Sequence, residues 1–556
     1  MIAQFKRRRW FILILTCFLL GLSFPVESAS ISYFPFSQIK RGMKAVGKTV
    51  FYGTEVEDFQ LEVMDVVEGK KVEESYFVVK VVDKKLEEMG GISAGMSGSP
   101  IFIRGKIAGA LSYSWETKDN LVGVVTPIEA MLPLWEEGLW EEEAIQGEEV
   151  IQEEKPISFS PLVPESTIFV LGLGERASSG VANKLRERFC LKEIFTVPVL
   201  SWGKKRTSEN DSLQPGSAIG IQLVRGDAEV MSIGTLTLRD EDRILALGHP
   251  FLHRGEANYF LSSVYVNFSL QGANLPFKVG KVIKEVGIID QDRSAGVAGK
   301  IGVMPEVSKI VIKVRNEGKE EREYSFEVVR DEDILVDMLP ELVLDAIDRS
   351  IDSQMSGSAN VNLNLEGEDF SWQEEFFWIS DSDIASATSS GLGEVFKTIL
   401  NNPCRKLNLS EVSIEVDVIS GIQHAWLTSL DLPKVIGRNK EMEGKVNLFL
   451  WREGERGVSF PFLVPADFLP GAAEITVRGK SSGNLELETN KEEASFSSSL
   501  YDYLQKRLDN LHSEGLVVEI FSKAGSFPQD EKVYFTQWVG LPLILEGSVS
   551  EEVWIR

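Results

Sequence analysis

The chain has 556 residues, 43% of them apolar, and 84 Asp and Glu against 58 Lys and Arg give a formal net charge of −26. That length allows about three or four domains with cores of their own, and the acidity excludes nucleic acid as a partner, because phosphate binding needs a basic footprint. With three cysteines and four histidines, and no paired Cys-x-x-Cys or His-Glu-x-x-His, no metal or other cofactor is expected.

Lys6-Arg7-Arg8-Arg9 is followed by an uncharged apolar run over 10–24 and then by Pro25-Val26-Glu27-Ser28-Ala29. Basic, apolar and small-residue segments in this order make a secretory signal. Residues 1–28 are therefore read as a signal peptide, and the mature chain as exported to the periplasm, cell envelope or medium. The apolar run falls short of the ~20 residues that a membrane span wants, although an uncleaved anchor stays open. Cys190 and Cys404 remain after processing. A disulfide between them is open in an oxidising compartment, but their spacing does not require one.

Over 31–137, short alternating runs at 44–52, 58–67, 76–82, 101–115 and 121–126 are separated by Gly and charged turns, which predicts a β-barrel lobe. Residues 138–160 are acidic and poor in core formers, and read as a solvated linker. A second β-rich lobe is expected over 161–345, where Arg225-Gly226-Asp227 reads as a hairpin turn. Near its end Leu335, Met338, Leu342 and Ile347 share one face of a helix predicted over 333–349. Strands alternating with Gly and Ser turns over 346–480 predict a β-sandwich-like domain, and 481–556 reads as a C-terminal α+β segment. The fold class is mainly β.

The most informative stretch is Gly95-Met96-Ser97-Gly98-Ser99-Pro100, continuing through Ile101-Phe102-Ile103-Arg104-Gly105-Lys106-Ile107. It predicts a tight loop that carries Ser97 into a β-hairpin. Serine peptidases of chymotrypsin type place their nucleophile in such a stretch. Gly95 lets the backbone turn so that its N–H and that of Ser97 converge on an oxyanion, and Gly98 clears room for the substrate carbonyl. A later Met355-Ser356-Gly357-Ser358 lacks the proline and the hairpin, and is read as coincidence.

A serine nucleophile needs a base, usually oriented by a carboxylate. Of the four histidines, His424 reads as a strand residue, His512 as a helix C-terminal cation and His253 as a loop residue. His249, in Ala246-Leu247-Gly248-His249-Pro250, stands at a strand end between a Gly and a Pro and is the best candidate. Asp83, at the end of the strand before the serine loop, competes with Asp290 and Asp292 for the orienting carboxylate, and spacing alone does not separate them.

The run Gly90-Gly91-Ile92-Ser93-Ala94-Gly95-Met96-Ser97-Gly98-Ser99-Pro100-Ile101, with Asp83-Lys84-Lys85-Leu86 upstream, resembles the nucleophile region of the SpoIVB-type serine peptidases. Ala246-Leu247-Gly248-His249 resembles their histidine segment. The resemblance implies a chymotrypsin-like double β-barrel with Ser97 as nucleophile, His249 as general base and Asp83 as orienting acid. In those peptidases the histidine segment precedes the serine segment, whereas here Ser97 comes first. The function expected is an exported serine endopeptidase acting on protein or peptide substrates, with the C-terminal β modules free to meet a cell-envelope partner. The alternative is an inactive envelope scaffold built on the same fold.

Overall fold

In the computed structural model of the chain, residues 32–556 are described apart from 115–119, 137–162, 165–166, 192–193, 198–212, 272–275, 318, 480–499, 509–514, 524–532, 540 and 542. The expected signal peptide, the acidic linker and His512 lie outside the described residues.

The first alternating runs form β1 (Lys44–Val50), β2 (Val56–Val67), β3 (Tyr76–Val81), β4 (Pro100–Ile103), β5 (Lys106–Ser114) and β6 (Val122–Pro127). They pair in the order β4-β1-β2-β3-β6-β5, and β5 pairs back onto β4, so the sheet closes into a six-stranded barrel. Every second residue of β2 and β3 points inward: Phe59, Leu61, Val63, Phe77, Val79 and Val81 are all buried.

After β7 (Val163–Pro164), which pairs with β5, come β8 (Ile168–Leu171), a helix (Glu175–Phe189) and β9 (Ile194–Val197), with β8 and β9 parallel. Then follow β10 (Ala218–Gly226), β11 (Glu229–Asp240), β12 (Arg243–Ala246), β13 (Gly255–Gln271), β14 (Pro276–Arg293) and β15 (Gly296–Ile301). These pair in the order β10-β13-β14-β15-β12-β11, and β11 returns to β10, which closes a second ring of six strands. Of the expected Arg225-Gly226-Asp227 turn, Arg225 and Gly226 belong to β10 and only Asp227, with Ala228, lies between β10 and β11, where Asp227 Oδ2 accepts from Ser325 N at 2.7 Å. The fold is mainly β, with two barrels side by side. Two apolar clusters join them. One holds Val50 and Ala94 with Met231, Val266 and Phe277, the other Ile107, Ala110 and Met131 with Leu245 and Ala298.

The sheet of the second barrel continues past β10 through β17 (Arg322–Val329), β16 (Val307–Asn316), β20 (Leu409–Ser420), β18 (Gly357–Gly367) and β19 (Phe370–Ser380). Helices Glu332–Ile351 and Ile384–Leu400 pack on one another and on this extension. A separate sandwich follows from Gln423 onward. Its four-stranded sheet includes strands Gln423–Asp431 and Glu441–Leu450, and its five-stranded sheet places Gly471–Gly479 between Leu516–Ser522 and Ser548–Ile555. The expected division into 346–480 and 481–556 therefore does not follow the sheets. Strands of the first unit extend the barrel sheet, and those of the last complete the sandwich, sharing one core that includes Phe460, Val477, Val518 and Leu545.

Candidate active site

Asp83 ends the run after β3 by capping the short helix Lys84–Glu88: its Oδ1 accepts from Leu86 N at 3.2 Å and its Oδ2 from Gln60 N at 3.3 Å. A residue of this type at a helix start satisfies N–H groups that the helix leaves over. The chain then runs through the serine loop into β4.

The loop is tied internally by Met96 N to Ser93 O at 3.0 Å, Gly98 N to Leu111 O at 2.7 Å and Ser99 N to Met96 O at 2.9 Å. Its carbonyls are held by the second barrel. Thr235 Oγ1 donates to Gly95 O at 2.9 Å, Thr235 N to Ser97 O at 2.8 Å, and Thr237 Oγ1 to Gly98 O at 2.8 Å. Gly98 has φ +93°, and a Cβ there would lie 1.9 Å from Thr235 O and 2.5 Å from Leu247 N, so only glycine fits this meeting of lobes. Among the described residues, the N–H groups of Gly95 and Ser97 donate no hydrogen bond. They are the pair that the sequence reading assigned to an oxyanion.

His249 reaches the same seam from β12. Leu247 and Gly248 both take positive φ, at 67° and 74°, and Gly248 O accepts from Thr126 Oγ1 of β6 at 2.7 Å. That turn sets the His249 ring beside Tyr113 of β5, with ring centroids 5.6 Å apart. His249 is 0% and Ser97 1% exposed. Nδ1 of His249 lies 2.7 Å from Pro250 O, and the buried Nε2 has no hydrogen-bond partner. Burial lowers the imidazole pKa to about 4, against a smaller upward effect of the Pro250 bond. Donation from Nδ1 to a carbonyl fixes the tautomer with a bare, proton-accepting Nε2.

None of the three candidate carboxylates bonds the ring. Asp83 caps its helix, and Asp290 lies 3.6 Å from Lys300 Nζ. Asp292 is buried and gathers the backbone just beyond the histidine, accepting from Phe251 N and Leu252 N, each at 2.7 Å, and from Arg254 N at 3.4 Å. Burial raises its pKa, opposed by those N–H groups. The assignment of Asp83 as orienting acid is corrected accordingly: both its oxygens already serve backbone donors. His253 Nε2 lies 3.2 Å from Ser294 Oγ in an exposed loop, and His424 Nδ1 lies 3.9 Å from Glu546 Oε1 in the sandwich.

Sequence reasoning missed Thr235, Thr237 and Lys278, which meet the serine loop from β11 and β14. In an alternating strand each reads as an ordinary sheet residue. Cys190 and Cys404 are both free and exposed. Among the described residues no cluster of metal-ligating side chains occurs, and no helix is long and apolar enough to cross a membrane.

Two closed barrels, with a glycine-flanked serine and a histidine drawn into the seam between them, define the fold of the chymotrypsin-like serine peptidases. Residues 25–132 match the family described as SpoIVB peptidase S55, so the SpoIVB-type resemblance holds over the serine lobe. The matched stretch ends before the second barrel that carries His249. No curated protein and no solved structure matches the chain.

Proposed function

We propose that the protein is an exported serine endopeptidase whose nucleophile and base come from different barrels. The observation that carries this reading is the His249 ring. It is locked by Pro250 O with Nε2 bare, on the segment whose Leu247 backbone abuts Gly98 beside Ser97. Ser97 Oγ attacks the scissile carbonyl and its proton passes to His249 Nε2. The oxyanion is held by the N–H groups of Gly95 and Ser97. The C–N bond breaks as His249 returns the proton to the leaving amine, and water then hydrolyses the acyl-enzyme by the reverse proton path. The Pro250 carbonyl takes the orienting role, and Asp292 braces the segment behind it. Because Ser97 and His249 are both buried, a protein or peptide substrate enters only when the seam parts. The sandwich at the C-terminus is free to meet an envelope partner. Incubating the purified chain with a mixture of unfolded proteins and mapping the new termini tests the reading. Cleavage that Ser97→Ala abolishes supports it.

The second reading, an inactive envelope scaffold, is favoured by the same burial and by the lack of a carboxylate on the ring. It predicts no new termini from either chain.

A further inference from the structure

Lys278 on β14 is 1% exposed, and among the described residues no carboxylate pairs with it. Its Nζ lies 2.7 Å from Thr49 Oγ1, itself fully buried on β1, and 3.2 Å from Gly95 O. The stem packs on the serine loop, since a Cβ on Gly95 would lie 3.1 Å from both Cβ and Cδ of Lys278. The backbone joins in as well: Ala94 N donates to Pro276 O at 2.8 Å and Lys278 N to Ala94 O at 3.0 Å. The side chain therefore crosses from the second barrel into the first, and among the described residues its polar contacts are a hydroxyl and a carbonyl of the serine lobe.

An amine in such a place is a poor choice for stability. Burial disfavours its charged form, and an apolar side chain of similar volume fills the same slot without that cost. What the amine does supply is a second donor to Gly95 O, opposite Thr235 Oγ1. Two donors on one carbonyl fix the plane of the Gly95–Met96 peptide, and with it the aim of the flanking N–H groups.

We propose that Lys278 is the positioning residue of the serine loop: held by Thr49, its amino group pins the Gly95 carbonyl and so aims the Gly95 and Ser97 N–H groups at one point. That this point receives an acyl oxyanion rests on the peptidase reading; the pin itself does not.

The test compares the full chain with Lys278→Met and with Thr49→Val, which removes the anchor of the amine and keeps its volume. Amide hydrogen exchange is followed in the peptide covering 93–99 and in barrel strands far from it, alongside thermal stability at pH 7 and the rate of labelling by a fluorophosphonate. The proposal expects Lys278→Met to melt no lower than the parent while exchange in 93–99 quickens about tenfold, the distant strands stay unchanged, and labelling slows about tenfold. Thr49→Val is expected to shift exchange the same way, and it carries the test should Lys278→Met fail to fold. Unchanged exchange in 93–99 in the folded variants overturns the pin. A Lys278→Met chain that melts lower with distant strands loosened equally shows a merely structural lysine and overturns it too. If the parent never labels, the peptidase reading fails, and exchange still decides the pin.

Discussion

Nδ1 of His249 lies 2.7 Å from the carbonyl oxygen of Pro250, the residue that follows it. A histidine base usually has its tautomer chosen by a carboxylate. Here the choice is made within one dipeptide, at the end of a turn whose two positive-φ residues are braced by Thr126 of the other barrel. Donation to that carbonyl fixes the Nδ1–H tautomer without an aspartate, and burial, not this bond, keeps the ring neutral.

Burial of that ring makes stability depend on pH. The folded state holds the imidazole pKa at about 4, below its ordinary 6.5, so the unfolded chain binds the extra proton first as pH falls. Stability from this group is full above pH 6.5 and declines towards pH 4, by ~3 kcal/mol over the window. Urea unfolding between pH 7 and 4 measures it, and His249→Gln is expected to flatten that part of the profile.

Asp292 and Asp83 are expected to separate cleanly. Asp292→Asn replaces one of the two oxygens that accept from the 251–254 backbone by an amide donor, which sets a donor against a donor in a buried site. A loss of ~2–3 kcal/mol in unfolding free energy and of Ser97 reactivity is expected. Asp83→Ala removes a helix cap, and is expected to lose only ~1 kcal/mol with reactivity kept. Denaturant midpoints and probe labelling of the two variants check this.

Gly98→Ala brings a Cβ against Thr235 O and Leu247 N in a positive-φ conformation. Backbone atoms of the second barrel cannot yield as a side-chain end would. The variant is expected to lose more than ~3 kcal/mol, or to fail to accumulate as folded protein, in circular dichroism and thermal melts.

Thr235→Val keeps volume and removes the Oγ1 donor to Gly95 O, while Thr235 N still holds Ser97 O. A stability loss of ~1 kcal/mol and a several-fold slower reaction of Ser97 are expected, read from melts and labelling kinetics.

The serine loop was legible because its residues are demanded locally: Gly95 and Gly98 by the turn, Pro100 by the start of a strand, Ile101 onward by the hairpin. The placement of His249 just past a strand end was legible for the same reason, since a glycine breaks the strand there. The role of Asp83 was misread, although Asp83-Lys84-Lys85-Leu86 is itself a helix-start pattern that names a cap. Closure of each barrel was not legible in detail, since the β1–β4 and β10–β13 pairings join residues far apart in sequence. The same holds for the misplaced boundary at 346–480, because strand spacing does not say which sheet a strand joins. Lys278 gave no signal at all: in Pro276-Phe277-Lys278-Val279 it has the period of a solvent-facing residue, and only the other barrel buries it.

The central claim is that Ser97 and His249 act together across the seam. Labelling of the purified chain by a fluorophosphonate, compared with Ser97→Ala and His249→Ala, tests it most directly. The account predicts labelling of the parent, mapped to Ser97 and lost in both variants. A folded parent that takes no label, or a His249→Ala chain that labels as fast as the parent, would contradict it.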